Sequence, residues 1–159
     1  MVDVTLIEVP DQLVIGITRR GHYAGIATAL GELVQFAMSH GVQLAGMPVA
    51  MFHELGKEAA IKADQDGTAV IDVAFPIAGE IEGEGDVACY VLPGGTMVKV
   101  VHKGPYEACE PAYNSLFEWI ATNGYAVTDP TREVYLNDPR VVPPAEVLTE
   151  IYAPVTRLA

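Results

Sequence analysis

The chain has 159 residues, half of them apolar, which suits one well-buried domain. Its 21 acidic and 9 basic residues give a formal charge of −12, and a surface of this sign without a basic stripe argues against nucleic-acid binding. No apolar run approaches the roughly 20 residues that cross a bilayer, and "MVDVTLIEVP" lacks the basic start of a signal peptide, so we expect a cytoplasmic protein without membrane contact.

The first half of the chain has the pattern of strands around one amphipathic helix. "VTLIEV" and "LVIGITRR" are rich in β-forming residues, and Gly21 closes the second of these predicted strands. Apolar residues then follow helical spacing from Tyr23 to His40, and Gly41 is a natural stop. "VAMFHE" and "AVIDVAFPI" predict two further strands. The insertion between them, "LGKEAAIKADQDG", is predicted to be an exposed loop with room for a helical turn.

A Gly/Glu-rich connector, Ala78 to Asp86, leads to a second half with the same order of elements. "DVACYV" and "TMVKVVHK" are predicted strands. Apolar spacing from Tyr106 to Asn123 predicts a helix that stops at Gly124. "EVYLND" and "EVLTEIYAPV" predict the last two strands.

The two halves align as a tandem repeat. An offset of 83 residues places Val9 to Gly41 on Leu92 to Gly124 without a gap, with identities at Gly and Pro near element boundaries. We therefore predict an α+β fold, a single domain built by pseudo-twofold duplication of a β-α-β-β unit. The two repeats span about 1–78 and 86–159, each an antiparallel sheet with one long helix. A groove between the units is the predicted place for a ligand.

One position breaks the repeat in a way that indicates chemistry. Under the same offset Phe52 falls on Tyr135, so an aromatic is kept, whereas Ala50 falls on Glu133. Residues that build the fold tend to be shared between copies, and a feature of one copy is where function can enter. A partly buried carboxylate is unfavourable unless it is paired, and a cationic ligand supplies such a partner. The alternative is that Glu133 is a solvated surface residue.

Aromatic residues are the candidates to surround Glu133, because aromatic faces attract cations. Tyr152 stands out, since its face of the last strand also carries a glutamate, a mixture unusual for a core. Trp119, on the shoulder of its helix, is either a groove wall or core. For most of these residues simple core packing is the alternative. The candidates are Tyr23, Phe52, Phe75, Tyr106, Trp119, Tyr135 and Tyr152.

Other chemistry finds little support in the sequence. Cys89 and Cys109 have no second cysteine at metal-site spacing and are predicted to be two buried thiols. The four histidines show neither HxH nor HExxH spacing, so no metal site is predicted. Gly94-Gly95 lacks the Lys-Ser/Thr tail of a phosphate loop and is predicted to be a hairpin turn. We expect no cofactor.

The second half of the chain also resembles a known family. "HKGPYEACEPAYNSLFEWIATNGYAVTDPTREVYLNDP" followed by "EVLTEIYAPV" is similar to the GyrI-like small-molecule-binding family. This is the effector-binding domain of multidrug-responsive transcription activators, and it also occurs in stand-alone proteins. The resemblance covers roughly Val87 to Val155, and in the N-terminal half it rests mainly on the repeat.

The resemblance implies a pair of β-α-β-β units and a glutamate, surrounded by aromatics, that contacts lipophilic cations. Carried over to this chain, that glutamate is Glu133, with Tyr135, Tyr152, Tyr106 and Trp119 around it. The sequence starts at the first strand and has no helix-turn-helix segment, so we expect a stand-alone binding domain that does not itself bind DNA.

Three functions follow as hypotheses. The first is sensing or sequestration of hydrophobic, preferably cationic small molecules in an aromatic groove. The second, which the resemblance to stand-alone relatives implies, is hydrolysis of reactive xenobiotics such as cyclopropane-bearing electrophiles, with Glu133 as general base. The third is regulation of a protein partner, as in gyrase inhibitors. The sequence leaves open whether the protein is an enzyme.

Overall fold

The computed structural model describes residues 3–54 and 56–159, and these form an α+β fold of nine strands and three α-helices. The strands are β1 Thr5–Val9, β2 Gln12–Gly21, β3 Val49–Phe52, β4 Ala69–Pro76, β5 Ala88–Leu92, β6 Gly95–Lys103, β7 Tyr125–Val127, β8 Thr131–Tyr135 and β9 Leu148–Arg157. The helices are α1 Gly25–His40, α2 Lys57–Asp66 and α3 Glu110–Thr122, and short 3-10 helices occupy Tyr106–Ala108 and Pro144–Glu146. Within the described residues, none of the helices is long and apolar enough to span a membrane.

The chain divides into two compact units. The first, Asp11–Pro93, we call the α1 unit; its strands pair antiparallel in the order β3-β4-β2-β5. Helix α1 buries Ala29, Leu33 and Ala37, which lie four residues apart and therefore share one side of the helix. The left-handed backbone of Gly41, at φ 65°, ends the helix as the sequence predicts.

The second unit, which we call the α3 unit, consists of the segment up to Pro10 together with Gly94–Ala159. Its strands pair antiparallel in the order β1-β6-β9-β8, and β7 also pairs with β9. Helix α3 buries Ala112, Leu116 and Ile120. They pack on one face of the strands, in a core cluster completed by Val98, Val100, Ile151, Ala153 and Val155.

The compact units do not coincide with the two stretches of the sequence repeat. The opening strand of the first repeat, β1, pairs with β6, with Val9 opposite Gly95. The opening strand of the second repeat, β5, pairs with β2, with Gln12 opposite Leu92. Each repeat therefore contributes its first strand to the other compact unit. The tandem duplication itself stays a prediction.

Three elements differ from the sequence-based expectation. The insertion predicted as a loop forms helix α2, because Ala, Glu, Lys and Gln are good helix formers and Gly67, at φ 68°, caps its end. Helix α3 begins at Glu110 rather than Tyr106, since Pro105 takes an extended backbone and Pro111 suits a first helical turn. The three-residue strand β7 was not predicted and is too short to show a periodic pattern.

Candidate ligand-binding site

Glu133 lies in the middle of β8, on the face of the α3 unit that carries the helix. Its cross-strand partner on β9 is Ile151, which is fully buried in the core cluster under α3. Residues directly opposite each other on antiparallel strands share a face, so the glutamate side chain points to the helix side. Tyr135, two residues further along β8, shares this face.

Two tyrosine hydroxyls hold the carboxylate of Glu133. Tyr135 Oη donates to Oε1 at 3.0 Å, and Tyr113 Oη, from the first turns of α3, donates to Oε2. Ion pairs with lysine or arginine are absent at this carboxylate among residues 3–54 and 56–159. Glu133 is thus a partly buried carboxylate whose hydrogen-bond partners are neutral.

Burial raises the pKa of Glu133 above its usual value, while the hydrogen bonds from Tyr113 and Tyr135 and the charge of His102 act in the opposite direction. Burial and the neighbouring Glu133 raise the pKa values of Tyr113 and Tyr135 well above the ordinary tyrosine range. Both hydroxyls are therefore protonated at neutral pH and serve as donors. The carboxylate keeps acceptor capacity, because two hydrogen bonds fill about half of its lone-pair positions.

Tyr106 is the most exposed of the side chains near Glu133. Its ring lies 5.5 Å from that of Tyr135 in an edge-to-face arrangement, and the residue is 37% exposed. The turn before it depends on Gly104, which has a φ of 131° and donates its N–H to the carbonyl of Val147 at 2.7 Å. We refer to Glu133, Tyr106, Tyr113 and Tyr135 as the Glu133 cluster.

Two buried polar residues continue the helix-side face next to the cluster. Thr149 on β9 is opposite Tyr135 on one side and His102 of β6 on the other. Thr149 is 2% exposed and His102 is 9% exposed. The Nε2 of His102 lies 2.8 Å from the carbonyl oxygen of Pro105, so this ring nitrogen carries the proton and donates.

Cys109, at the start of α3, lies in a setting that disfavours its thiolate form. Burial, with Glu133 as the second cause, raises the pKa of its thiol to about 11. The thiolate form is therefore scarce at neutral pH. Cys109 and Cys89 are both partly buried free thiols.

The structure separates Tyr152 from Glu133, contrary to the expected grouping. Tyr152 lies on β9 between Lys99 and Arg132, one position away from Ile151, so it occupies the opposite face from Glu133. There its hydroxyl donates to Glu150 at 3.0 Å, and Glu150 forms an ion pair with Lys99 at 2.6 Å.

Trp119 also lies away from the cluster. Its ring stacks on Tyr125 of β7 at 5.8 Å, and it packs partly buried against the core under α3. Tyr113 and Trp119 are six residues apart on the helix, which turns their side chains in different directions. The sequence left open whether Trp119 is a groove wall or part of the core, and its surroundings are those of a core residue.

Tyr23 and Phe52 contact each other in the α1 unit. Their ring centroids are 5.7 Å apart, and the hydroxyl of Tyr23 donates to Glu54. Phe75 is 8% exposed and belongs to the core. The structure thus brings together Tyr106, Tyr135 and Glu133 from the predicted set.

Sequence reasoning missed Tyr113, Thr149 and His102 as neighbours of Glu133. Tyr113 was visible as part of the apolar stripe of α3, where a hydroxyl at a core position is itself a signal. Thr149 alternates with Ile151 on the buried face of β9, so a polar residue in an apolar alternation was its signal. Groups of His, Cys, Asp or Glu suited to a metal ion are absent from the described part of the chain.

Solved structures place this geometry in a known fold. The chain is similar to the crystal structure of the EcmrR C-terminal domain, with 25% identity, a TM-score of 0.83 and 99% of each chain covered. It is also similar to EcmrR in a cryo-EM structure of an EcmrR–DNA complex, with 24% identity and a TM-score of 0.86; the match covers 99% of this chain and spans 58% of that one. A hydrolase encoded by lin2189 from Listeria innocua shares the fold at 16% identity and a TM-score of 0.73, with 96% and 91% of the two chains covered.

Comparison of the sequence with known proteins gives two results. A search of curated proteins finds no match to the chain. A family model described as the GyrI-like small molecule binding domain matches residues 3–156, which is nearly the whole sequence. The chain therefore belongs to the GyrI-like small molecule binding domain family.

Proposed function

We propose that the protein binds hydrophobic, preferably cationic small molecules at the Glu133 cluster, for sensing or sequestration. The observation that carries the proposal is a partly buried carboxylate whose partners are two neutral hydroxyls rather than a cation. Ionising such a group costs free energy, and a bound cation offsets that cost. The family supports small-molecule binding in general, and the cationic preference comes from Glu133.

The aromatic rings next to Glu133 supply the hydrophobic part of the interaction. Tyr106 and Tyr135 form an edge-to-face pair with Tyr106 partly exposed, so a flat or branched aromatic ligand finds apolar area there. A cation over a tyrosine face gains about 0.5–2 kcal/mol in addition to the carboxylate attraction. The formal charge of −12 favours the approach of cations to the protein as a whole.

Calorimetric titration with tetraphenylphosphonium and with tetraphenylborate, an anion of the same shape, tests the proposal. We expect the cation to bind in the micromolar range and Glu133→Gln to weaken it by about 1–3 kcal/mol, roughly 5- to 150-fold in Kd. Glu118→Gln is the matched control, because Glu118 is an exposed carboxylate on α3 and its loss changes the net charge equally.

Two results would contradict the proposal. Equal losses of affinity in Glu133→Gln and Glu118→Gln would show that only the overall charge attracts the ligand. If neither ion binds, the cluster is not a site for lipophilic cations. A protein partner then becomes the better hypothesis, and Glu133→Gln should leave partner binding nearly intact.

Hydrolysis by the same carboxylate is the second candidate. The raised pKa of Glu133 favours it, because a carboxylate with a higher pKa is a stronger general base, and the protonated tyrosines are available to polarise a leaving atom. Incubating the protein with a cyclopropane-bearing electrophile and following products by mass spectrometry tests this candidate. Turnover that Glu133→Gln abolishes would establish it, and binding without turnover would reject it.

A further inference from the structure

Thr149 is the most completely buried polar side chain near the Glu133 cluster. It is 2% exposed, and its Oγ1 makes no hydrogen bond with any residue that the structure describes. Buried hydroxyls in folded proteins nearly always have a partner, so an unpaired one requires an explanation. Valine has almost the same shape as threonine and would fill this position without an unpaired hydroxyl.

The corresponding position of the α1 unit has an apolar residue. In the α3 unit Thr149 is opposite His102 between β9 and β6, and in the α1 unit Ile71 is opposite Arg19 between β4 and β2. Ile71 is 3% exposed, so the site accepts a fully apolar side chain as part of the same strand pairing. The framework therefore does not require a hydroxyl at Thr149.

Thr149 lies next to the Glu133 cluster on the same face of the strands. Thr149 is directly opposite Tyr135, whose hydroxyl donates to Glu133 at 3.0 Å. Thr149 and Glu133 are diagonal neighbours on one face of β8 and β9, a relation that places their Cβ atoms somewhat closer than roughly 7–8 Å. His102, on the other side of Thr149, already donates from Nε2 to Pro105.

We propose that Thr149 is a specificity-determining residue, whose hydroxyl bonds a hydroxyl group on the ligand while Glu133 holds the ligand's positive charge. The inference rests on the proposed function and narrows the ligand class to lipophilic cations that carry a hydroxyl about one phenyl ring away from the charged centre, because Thr149 and Glu133 are close neighbours on one face. A site built to hydrogen-bond a ligand hydroxyl discriminates against an analogue without it, because its own polar group is then left unpaired.

Two phosphonium compounds of matched shape test the inference. (4-Hydroxymethylphenyl)triphenylphosphonium carries a hydroxyl at a comparable separation from the charge, and (4-ethylphenyl)triphenylphosphonium has a methyl group in its place. We expect the wild type to bind the hydroxymethyl compound about tenfold more tightly than the ethyl compound. In Thr149→Val the preference should disappear while the melting temperature stays equal or rises. Thr149→Ser, which restores a hydroxyl, should regain most of the preference.

The outcomes separate this inference from the proposed function. If the wild type binds both compounds equally and Glu133→Gln weakens both, the cation site stands and the role of Thr149 is rejected. A preference that survives in Thr149→Val rejects it as well. If neither compound binds, both the cation site and the role of Thr149 are rejected. A rise in melting temperature without a change in preference would mean that Thr149 only packs in the fold.

Discussion

Helix α1 buries Ala29, Leu33 and Ala37 in its unit, and helix α3 buries Ala112, Leu116 and Ile120 in the other. The strands beneath them also correspond. Ala50 is opposite Val73 between β3 and β4, and Glu133 is opposite Ile151 between β8 and β9. The offset of 83 residues relates the helix positions one by one, so equivalent residues can be compared without any superposition.

The side chains next to this shared framework differ in polarity. Where the α3 unit has a glutamate, two tyrosines and a threonine, the α1 unit has apolar residues. The equivalent pairs are Glu133 and Ala50, Tyr135 and Phe52, Tyr113 and Leu30, and Thr149 and Ile71. Four polar residues at neighbouring positions, on a frame that accepts apolar residues, support the proposal that the Glu133 cluster binds a ligand.

The α1 unit has a carboxylate of its own, but its partners are different. Glu54 follows β3 and accepts the hydroxyl of Tyr23 and the backbone N–H of Val70, the latter at 3.2 Å. A backbone donor is a fixed structural partner, so Glu54 helps to hold the chain after β3. Among the described residues, Glu133 accepts hydrogen bonds from the side chains of Tyr113 and Tyr135 and from no backbone N–H, an arrangement that suits the proposed exchange of partners for a ligand.

The largest effect is expected when the missing carboxylate is placed in the α1 unit. Ala50 is 1% exposed, and Leu30 and Phe52 occupy the positions that correspond to Tyr113 and Tyr135. We expect Ala50→Glu to destabilise the protein by more than about 3 kcal/mol in urea unfolding, because the new charge is buried without a partner. Ala50→Gln has the same size and separates overpacking from charge. Equal losses in both variants would show that charge plays no part.

An intermediate effect is expected in the pH dependence of cation binding. Because burial raises the pKa of Glu133, protonation begins above the usual glutamate range near 4.5 and removes the negative charge that the ligand needs. The affinity for tetraphenylphosphonium should therefore fall as pH falls through this raised pKa, by up to about tenfold per pH unit. Calorimetry between pH 4 and 8 measures it, with the affinity of Glu133→Gln expected to be flat.

Glu133 also makes the stability of the folded protein depend on pH, and in the opposite direction to the affinity for cations. A raised folded-state pKa means that the folded protein holds this proton more tightly than the unfolded chain does. The contribution of Glu133 to stability is thus fully present below its unfolded pKa and is lost as pH rises through the folded pKa. Relative to Glu133→Gln, the wild type should lose melting temperature from pH 4 to pH 8. A constant difference would contradict the raised pKa.

The smallest effect is expected from removing one hydroxyl in each unit. Tyr113→Phe deletes a donor to Glu133, so the pKa of Glu133 should rise further and the midpoint of cation binding should move to higher pH. The change corresponds to about 1 kcal/mol for one net hydrogen bond. Tyr23→Phe deletes the matching hydroxyl beside Glu54 and should leave the midpoint unchanged. Equal shifts in both variants would remove the distinction between the two carboxylates.

The frame of both units was predictable because it depends on local patterns. Helical spacing of apolar residues predicted both long helices, and Gly41 and Gly124 marked their ends. Helix α2 was missed because it has no such pattern. It buries little apolar surface and forms through the helix propensity of its residues and its Gly67 cap. Patterns that lack a buried stripe carry a weak signal for a helix.

The membership of the site was harder to predict, since it depends on strand register. Alternation correctly places Glu150 and Tyr152 on one face of β9, but the sequence does not say which face meets Glu133. A change of one residue in register exchanges the faces, and here Thr149 and Ile151 are on the Glu133 side. Glu133 and Tyr135 themselves were found together because they are two residues apart on one strand.

The first strand of each predicted repeat, β1 or β5, belongs to the other compact unit. This exchange determines where the chain can be cut into fragments that keep their strand pairs. A fragment that ends near Ala78 would contain α1 with β2, β3 and β4 but would lack β5, leaving one edge of β2 unpaired. A fragment from Asp11 to Pro93 contains every strand of the α1 unit in one uninterrupted stretch. The predicted sequence repeat and the compact unit are therefore offset by one strand, and we expect expression of separate halves to succeed at the second boundary rather than the first.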